Sequence, residues 1–210
     1  MVIVFDLDDT LYDEIDFVKS GFREISNYLK NEKYYIFMLD TFNREGSGKV
    51  FNRLIENFNL NISINKLIEI YRFHIPDIVL PVESLKLLEF ARNYKTGLIS
   101  DGHYIVQKNK FNVLELNNFI DYPIFTDFYN TKKPELKPYN MIMEKFKNEK
   151  QFVYISDNPK KDFIAVKELG WIGIRYKNPL GIYKDFENNT DFEVQNKENI
   201  IDILRKLENE

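Results

Sequence analysis

The chain has 210 residues, 44% of them hydrophobic, which is enough for one substantial core with room for a small second unit and argues against disorder. Its formal charge is −4, with lysines and arginines spread along the chain, so no basic tract supplies the electrostatic footprint of a nucleic-acid binder. Cysteine is absent, which removes disulfides, thiolate nucleophiles and cysteine-ligated zinc or iron–sulfur centres together.

Val2-Ile3-Val4-Phe5 is an apolar, β-branched run that lacks a basic leader and meets Asp6 too early for a signal peptide or a membrane span. The expectation is therefore a cytoplasmic protein with no membrane partner. Such a run suits a central strand buried on both faces of a parallel sheet, delivering polar residues at its C-terminal edge. The residues delivered are Asp6-Leu7-Asp8-Asp9-Thr10. Asp6 and Asp8 should project from a tight turn into one small space, where two carboxylates repel unless a divalent cation neutralises them. An all-oxygen site suits hard Mg²⁺. One carboxylate can then attack phosphorus while the other handles a proton. A plain capping turn explains one acid but not several; Asp9 fits that part, and Thr10 is either a cap or a positioning hydroxyl.

Residues 14–78 show helical periodicity and no convincing strand. Phe17, Phe22, Ile25, Tyr28 and Leu29 share one helix face, and Leu67, Ile70, Tyr71 and Phe73 another. This all-helical insert reads as a lid, with Pro76 and Pro81 punctuating the return to the core. Its most flexible stretch, Glu45-Gly46-Ser47-Gly48-Lys49, is either a specificity loop or a plain turn.

Beyond the insert, helical spacing at 82–92, 104–114, 139–146 and 160–169 alternates with strand-like runs at 96–100, 122–126, 152–156 and 171–175. Alternation of this kind predicts an α/β fold with a doubly wound parallel sheet, whose ligands bind outside the carboxyl ends of the strands. Ser100-Asp101-Gly102 closes one strand, and glycine there permits a tight turn that aims N–H groups and the Ser100 hydroxyl at a phosphate. Lys133 precedes Pro134, which restricts the backbone and can hold the lysine against a site; Lys132 and Lys137 read as solvated. Asp157 ends another strand, and Asp162 follows near a helix start, so both can complete an oxygen-rich cation site. Neither His74 nor His103 has a Ser or Cys in a recognisable nucleophile context, which disfavours a histidine-based hydrolase. The tail at 178–199 reads as a surface connection without a catalytic role, before a last helix at 200–207.

Taken together, Asp6-x-Asp8-x-Thr10, Ser100, Lys133-Pro134 with Tyr139 downstream, and Ser156-Asp157 with Asp162 resemble the four motifs of the haloacid dehalogenase superfamily, over essentially the whole chain. The resemblance implies a Rossmann-like core at 1–13 and 80–210 and a small helical cap at 14–79. It implies catalytic roles for Asp6 as nucleophile, Asp8 as general acid/base, Ser100 as a phosphoryl hydrogen-bond donor and Lys133 as the charge-stabilising cation. Thr10, Asp101 and Gly102 are expected at the substrate. The Mg²⁺ cofactor is expected on the Asp6 carboxylate, the Asp8 main-chain carbonyl and Asp157, with Asp162 either a direct or a water-mediated ligand. Ser156 departs from the usual glycine, and Lys137-Pro138 competes with Lys133-Pro134 with a poorer downstream fit. The partner so implied is a small phosphate monoester such as a sugar phosphate or nucleotide, hydrolysed through an aspartyl-phosphate. Asp8 argues against a dehalogenase, which has no alkoxide to protonate. A phosphomutase shares the motifs and stays an alternative, as does a non-catalytic phosphoacceptor or binding module.

Overall fold

A computed structural model of the protein describes residues 1–187 and 190–208. Six strands form one sheet: β1 (Val2–Phe5), β2 (Lys95–Ser100), β3 (Tyr122–Phe125), β4 (Phe152–Ser156), β5 (Ile172–Tyr176) and β6 (Phe192–Val194). Their order is β3-β2-β1-β4-β5-β6, and every pair is parallel. β1 is central, with Val4 opposite Gly97 on one side and Tyr154 on the other. The chain runs outward from β1 in both directions, so the strand order reverses beside it. That reversal opens a crevice at the carboxyl ends of β1, β2 and β4.

Nine helices of α type are described. α1 (Glu14–Tyr28), α2 (Lys33–Glu45), α3 (Val50–Phe58) and α4 (Ile64–Phe73) follow β1, and α5 (Val82–Ala91) leads into β2. α6 (Tyr104–Val113), α7 (Leu136–Lys145) and α8 (Asp162–Glu168) follow β2, β3 and β4, while α9 (Lys197–Glu208) ends the chain. β1 is wholly buried, as a strand covered on both faces must be. Val2 and Val4 point to the side where Ile142 of α7, Phe163 of α8 and Trp171 pack, and the pleat sends Ile3 and Phe5 the other way. Gly97 of β2 allows the closest approach of α7: a Cβ there would lie 2.7 Å from Ile142 Cδ1.

The chain divides into two compact units, 1–14 with 79–210, and 15–78. The second is all helical, with a core of Val18, Phe22, Ile25, Met38, Val50, Leu54 and Leu67. Phe22 meets Phe42, Phe51 and Tyr71 ring to ring, whereas Tyr28, placed on the same face by spacing, is 52% exposed. His74 is structural here. Its ring nitrogens lie 2.7 Å from Tyr71 O and 3.0 Å from Ser20 Oγ. The stretch 45–49 forms a short 3₁₀ turn at Ser47–Lys49, and Glu45 pairs with Arg53 at 3.1 Å.

Three elements differ from the expectation, among them α9, which begins at Lys197 and not at 200. α7 begins at Leu136 rather than 139, because Pro138 falls in the first turn, where a missing N–H costs nothing. The tail contains β6, a three-residue edge strand with two exposed residues, too short to show a period, although its residues 188 and 189 lie outside the described ones. β6 is joined to the core by charge. Arg175 on β5, fully buried, donates to the Asp157, Tyr183 and Phe186 carbonyls and pairs with Glu193 of β6 at 2.7 Å. Replacing Arg175 with Met strands those acceptors, so Arg175→Met should lower stability by about 3 kcal/mol, read from the urea midpoint.

Candidate active site

Three strand ends and one loop bring the acids and lysines together. Asp6 directly follows β1, and the turn after it holds Asp9 at φ 54°, a left-handed conformation that aspartate tolerates better than most residues. Asp9 Oδ1 then accepts the N–H of Glu14, the first residue of α1, at 2.9 Å. Thr10 is buried, and its hydroxyl has no hydrogen-bond partner among the described residues.

Lys133, in the loop after β3, is buried with its ammonium at the centre. Its Nζ lies 2.7 Å from Asp6 Oδ1, 3.1 Å from Asp162 Oδ2 and 3.2 Å from the Tyr154 hydroxyl. Burial disfavours its charge, but Asp162 and Asp6 outweigh burial and hold the ammonium well above its ordinary range. By contrast, Lys137 is exposed and donates to Tyr129 O, so only one of the two Lys-Pro matches reaches the acids. Ser156 makes use of its departure from glycine: its hydroxyl donates to Asp162 Oδ2.

Ser100 and Asp101 end β2. Ser100 Oγ sits 2.9 Å from Gln107 Nε2. The Asp101 carboxylate accepts from the Lys133 N–H at 3.1 Å, Thr126 Oγ1 at 2.8 Å and Lys161 Nζ at 2.6 Å. It therefore braces the lysine loop, and although burial opposes the shift, Lys133 and Lys161 hold its carboxyl below the usual range. Gly102 turns with φ 123°, where a Cβ would come 3.3 Å from the Gln107 amide.

Carboxylate oxygens of Asp6, Asp157 and Asp162 all lie within 4.8 Å of one another, and all three residues are buried. Asp162 Oδ1 is buried with no hydrogen-bond partner among the described residues. Without a cation, burial followed by the charges of Asp6, Asp9 and Asp162 raises Asp157 to about 9. Burial likewise raises Asp6 to about 7, with Lys133 opposing and Asp162 and Asp8 adding to the rise. An unsatisfied buried oxygen beside mutually repelling carboxylates is a donor set that suits a hard divalent cation. Asp8 behaves oppositely. Burial would raise it, but Lys110 at 2.7 Å, Tyr12 and Gln107 hold it below its ordinary value.

The acids line a cavity of 180 Å³ whose wall also includes Lys133 and Lys161. These observations agree with a match to a family model for haloacid dehalogenase-like hydrolases across residues 3–174. The chain belongs to this family. It is 27% identical to a glyceraldehyde 3-phosphate phosphatase of Methanocaldococcus jannaschii, over 98% of this chain and 97% of that protein. A second glyceraldehyde 3-phosphate phosphatase, from Pyrococcus furiosus, is 22% identical over 98% of this chain and 93% of its own length. In fold, this haloacid dehalogenase-like hydrolase resembles the hydrolase YfnB of Bacillus subtilis, solved bound to magnesium (TM-score 0.71, 15% identity, 97% of each chain). It also resembles a phosphatase of the family from Thermococcus onnurineus (TM-score 0.62, 21% identity, 97% of each chain).

Several residues at this site of the hydrolase escaped the sequence reading. Lys161 and Asn158 line the cavity beside the acids. The tail, given no role, reaches the same place: Asn178 donates to Asp9 O at 3.0 Å and Asp13 Oδ1 at 2.9 Å, and Ile182 and Tyr183 line the cavity. Asn158, directly after Asp157, and Lys161, directly before Asp162, had a positional signal. Gln107 and Lys110 fall inside the helical spacing at 104–114 with no motif to mark them, yet both are buried against Asp8.

The raised carboxyls set a pH dependence. The folded chain keeps protons on Asp6 and Asp157 that the unfolded chain releases near pH 3.8, so stability held at acid pH is withdrawn as pH climbs toward about 7 and 9. Asp8 and Asp101, being lowered, are ionised in both states by pH 5. In EDTA, the melting temperature should fall between pH 5 and pH 8; a rise over that interval contradicts the electrostatics described.

Proposed function

We propose that the protein is a magnesium-dependent phosphatase that hydrolyses a small phosphate monoester through an aspartyl-phosphate on Asp6. The observation that carries this reading is the Lys133 ammonium, buried between Asp6 and Asp162 at the edge of a three-carboxylate cluster. That arrangement supplies fixed positive charge beside a nucleophile and an oxygen-rich place for a cation.

Mg²⁺ held by the carboxylates of Asp6, Asp157 and Asp162 and the main chain at Asp8 would neutralise them and help screen the phosphoryl oxygens. The remaining chemistry belongs to side chains. In the form that carries a proton on Asp8, the one the water step below regenerates, an Asp6 oxygen attacks phosphorus, the P–O ester bond breaks, and that proton passes to the leaving oxygen. Asp8 then takes a proton from water, the water oxygen bonds to phosphorus, and the Asp6–phosphorus bond breaks to release inorganic phosphate. The Lys133 ammonium and the Ser100 hydroxyl steady the equatorial oxygens, where charge spreads in the transition state. Backbone N–H groups at Asp101 and Gly102 and the Thr10 hydroxyl, which has no hydrogen-bond partner among the described residues, are further places for the phosphate to bind.

For substrate, glyceraldehyde 3-phosphate is the first candidate, supported by the names of three relatives that match 98% or more of this chain. The cavity in the core unit, 180 Å³, suits a phosphoryl group with a short carbon chain.

Phosphate release from a panel of monoesters that includes glyceraldehyde 3-phosphate should require Mg²⁺ and stop in EDTA. Asp6→Asn should abolish it, and Asp8→Asn should reduce it by about 10²- to 10⁴-fold, with both variants retaining wild-type circular dichroism. Wild-type turnover by folded Asp6→Asn protein removes the covalent mechanism. Added Mg²⁺ should also raise the melting temperature more at pH 8 than at pH 5, where protons on Asp6 and Asp157 compete with the ion.

A further inference from the structure

The Asp8 carboxylate is held at both of its oxygens. Oδ1 accepts from the Tyr12 hydroxyl at 2.5 Å and from Lys110 Nζ at 2.7 Å, and Oδ2 accepts from Gln107 Nε2 at 2.7 Å. All three partners are donors in this arrangement, and none belongs to the motifs that led to the site. Gln107 and Lys110 lie three residues apart on α6 and so present side chains from one face. They are 2% and 3% exposed, an unusual depth for a lysine, which is tolerated because its ammonium meets a carboxylate. Tyr12 is 1% exposed, and the Lys110 ammonium lies over its ring at 5.9 Å.

Gln107 carries the arrangement further. The same amide nitrogen lies 2.9 Å from Ser100 Oγ and 2.6 Å from Asp101 O, so it ties the end of β2 to Asp8 after β1. The absent side chain of Gly102 leaves the room it needs, since a Cβ there would stand 3.3 Å from the amide.

We infer that Tyr12, Gln107 and Lys110 are positioning residues that hold the Asp8 carboxylate in the orientation from which it takes the proton of the hydrolytic water. This rests on the two-step reading above. Three donors around one carboxylate leave it few rotamers, and an acceptor so fixed matches the step in which Asp8 receives a proton better than the step in which it gives one. In the water step, the O–H proton passes to an Asp8 oxygen as the water oxygen bonds to phosphorus and the Asp6–phosphorus bond breaks. Loosening the cradle should therefore slow breakdown of the aspartyl-phosphate while sparing its formation wherever the leaving group needs no proton.

p-Nitrophenyl phosphate, whose leaving group departs as an anion, separates the two steps. Lys110→Met and Tyr12→Phe are to be compared with wild type in Mg²⁺, following nitrophenol by rapid mixing. Expected is a fall in kcat on the order of tenfold to a hundredfold, larger for Lys110→Met, with KM falling in parallel so that kcat/KM stays within about twofold. A burst of nitrophenol stoichiometric with enzyme should precede the slow phase. An equal fall of kcat and kcat/KM in both variants, or an unchanged kcat in both, overturns the inference. Tyr12→Phe removes one oxygen and keeps the ring, so it decides the matter should Lys110→Met not fold. Asp6→Asn run alongside keeps the two readings apart: its retention of turnover defeats the covalent mechanism, whereas Asp6-dependent turnover without the kcat-only loss defeats the cradle alone.

Discussion

The site is organised around one buried ammonium. Lys133 has almost no access to solvent, and a lysine so placed would ordinarily lose its proton. It keeps the proton because Asp6 comes from the end of β1 and Asp162 from the start of α8, each within 3.1 Å. The dependence is mutual, since those acids would otherwise stand buried with only each other nearby. Several neighbours hold this group in place. Asp101 grips the lysine backbone, the Ser156 hydroxyl donates to the same Asp162 oxygen that Lys133 meets, and the Tyr139 hydroxyl donates to the Asp162 carbonyl at 3.1 Å. A rigid sheet end is what makes such a constellation precise, because strand ends move little compared with free loops.

The parallel sheet explains why so many charged groups can be gathered there. Buried on both faces, its central strands have no room for polar residues along their length. Polar residues are concentrated at the strand ends, and reversal of strand order beside β1 leaves a gap between the flanking connections in which they meet. The apolar runs and the acids after them are therefore two consequences of one arrangement.

That relation also accounts for what could be read in advance. β1 and β4 stood out because burial on both faces forces continuous apolar runs, and Asp6, Ser100 and Asp157 stood out because each follows such a run. Ser100, Lys133, Asp157 and Asp162 are all brought to the region where Asp6 and Asp8 lie. The residues that went unseen are those whose importance comes from three-dimensional approach alone. Gln107 and Lys110 are polar residues of a helix whose faces differ little in character, and nothing local marks them as buried. Arg175, in the middle of an otherwise apolar strand, could be recognised only once Glu193 and the carbonyls of 183 and 186 were known to surround it. β6 is three residues long, below the length at which alternation becomes a signal.

Two aspartates separated by one residue are pushed in opposite directions, and the cause is which neighbours each strand end supplies. Asp6 shares its lysine with Asp162 and faces further acids, so burial prevails and its carboxyl rises to about 7 in the absence of a cation. Asp8 has Lys110 with two neutral donors, enough to overcome comparable burial and keep it ionised. Divergent environments for paired carboxyls are a common basis for dividing chemical roles between them. Here the division follows from topology: Asp6 looks toward β4 and the acids after it, while Asp8 looks toward β2 and the helix that follows. Placing β1 between β2 and β4 thus gives the two carboxylates different electrostatic surroundings, although a single residue lies between them in the chain.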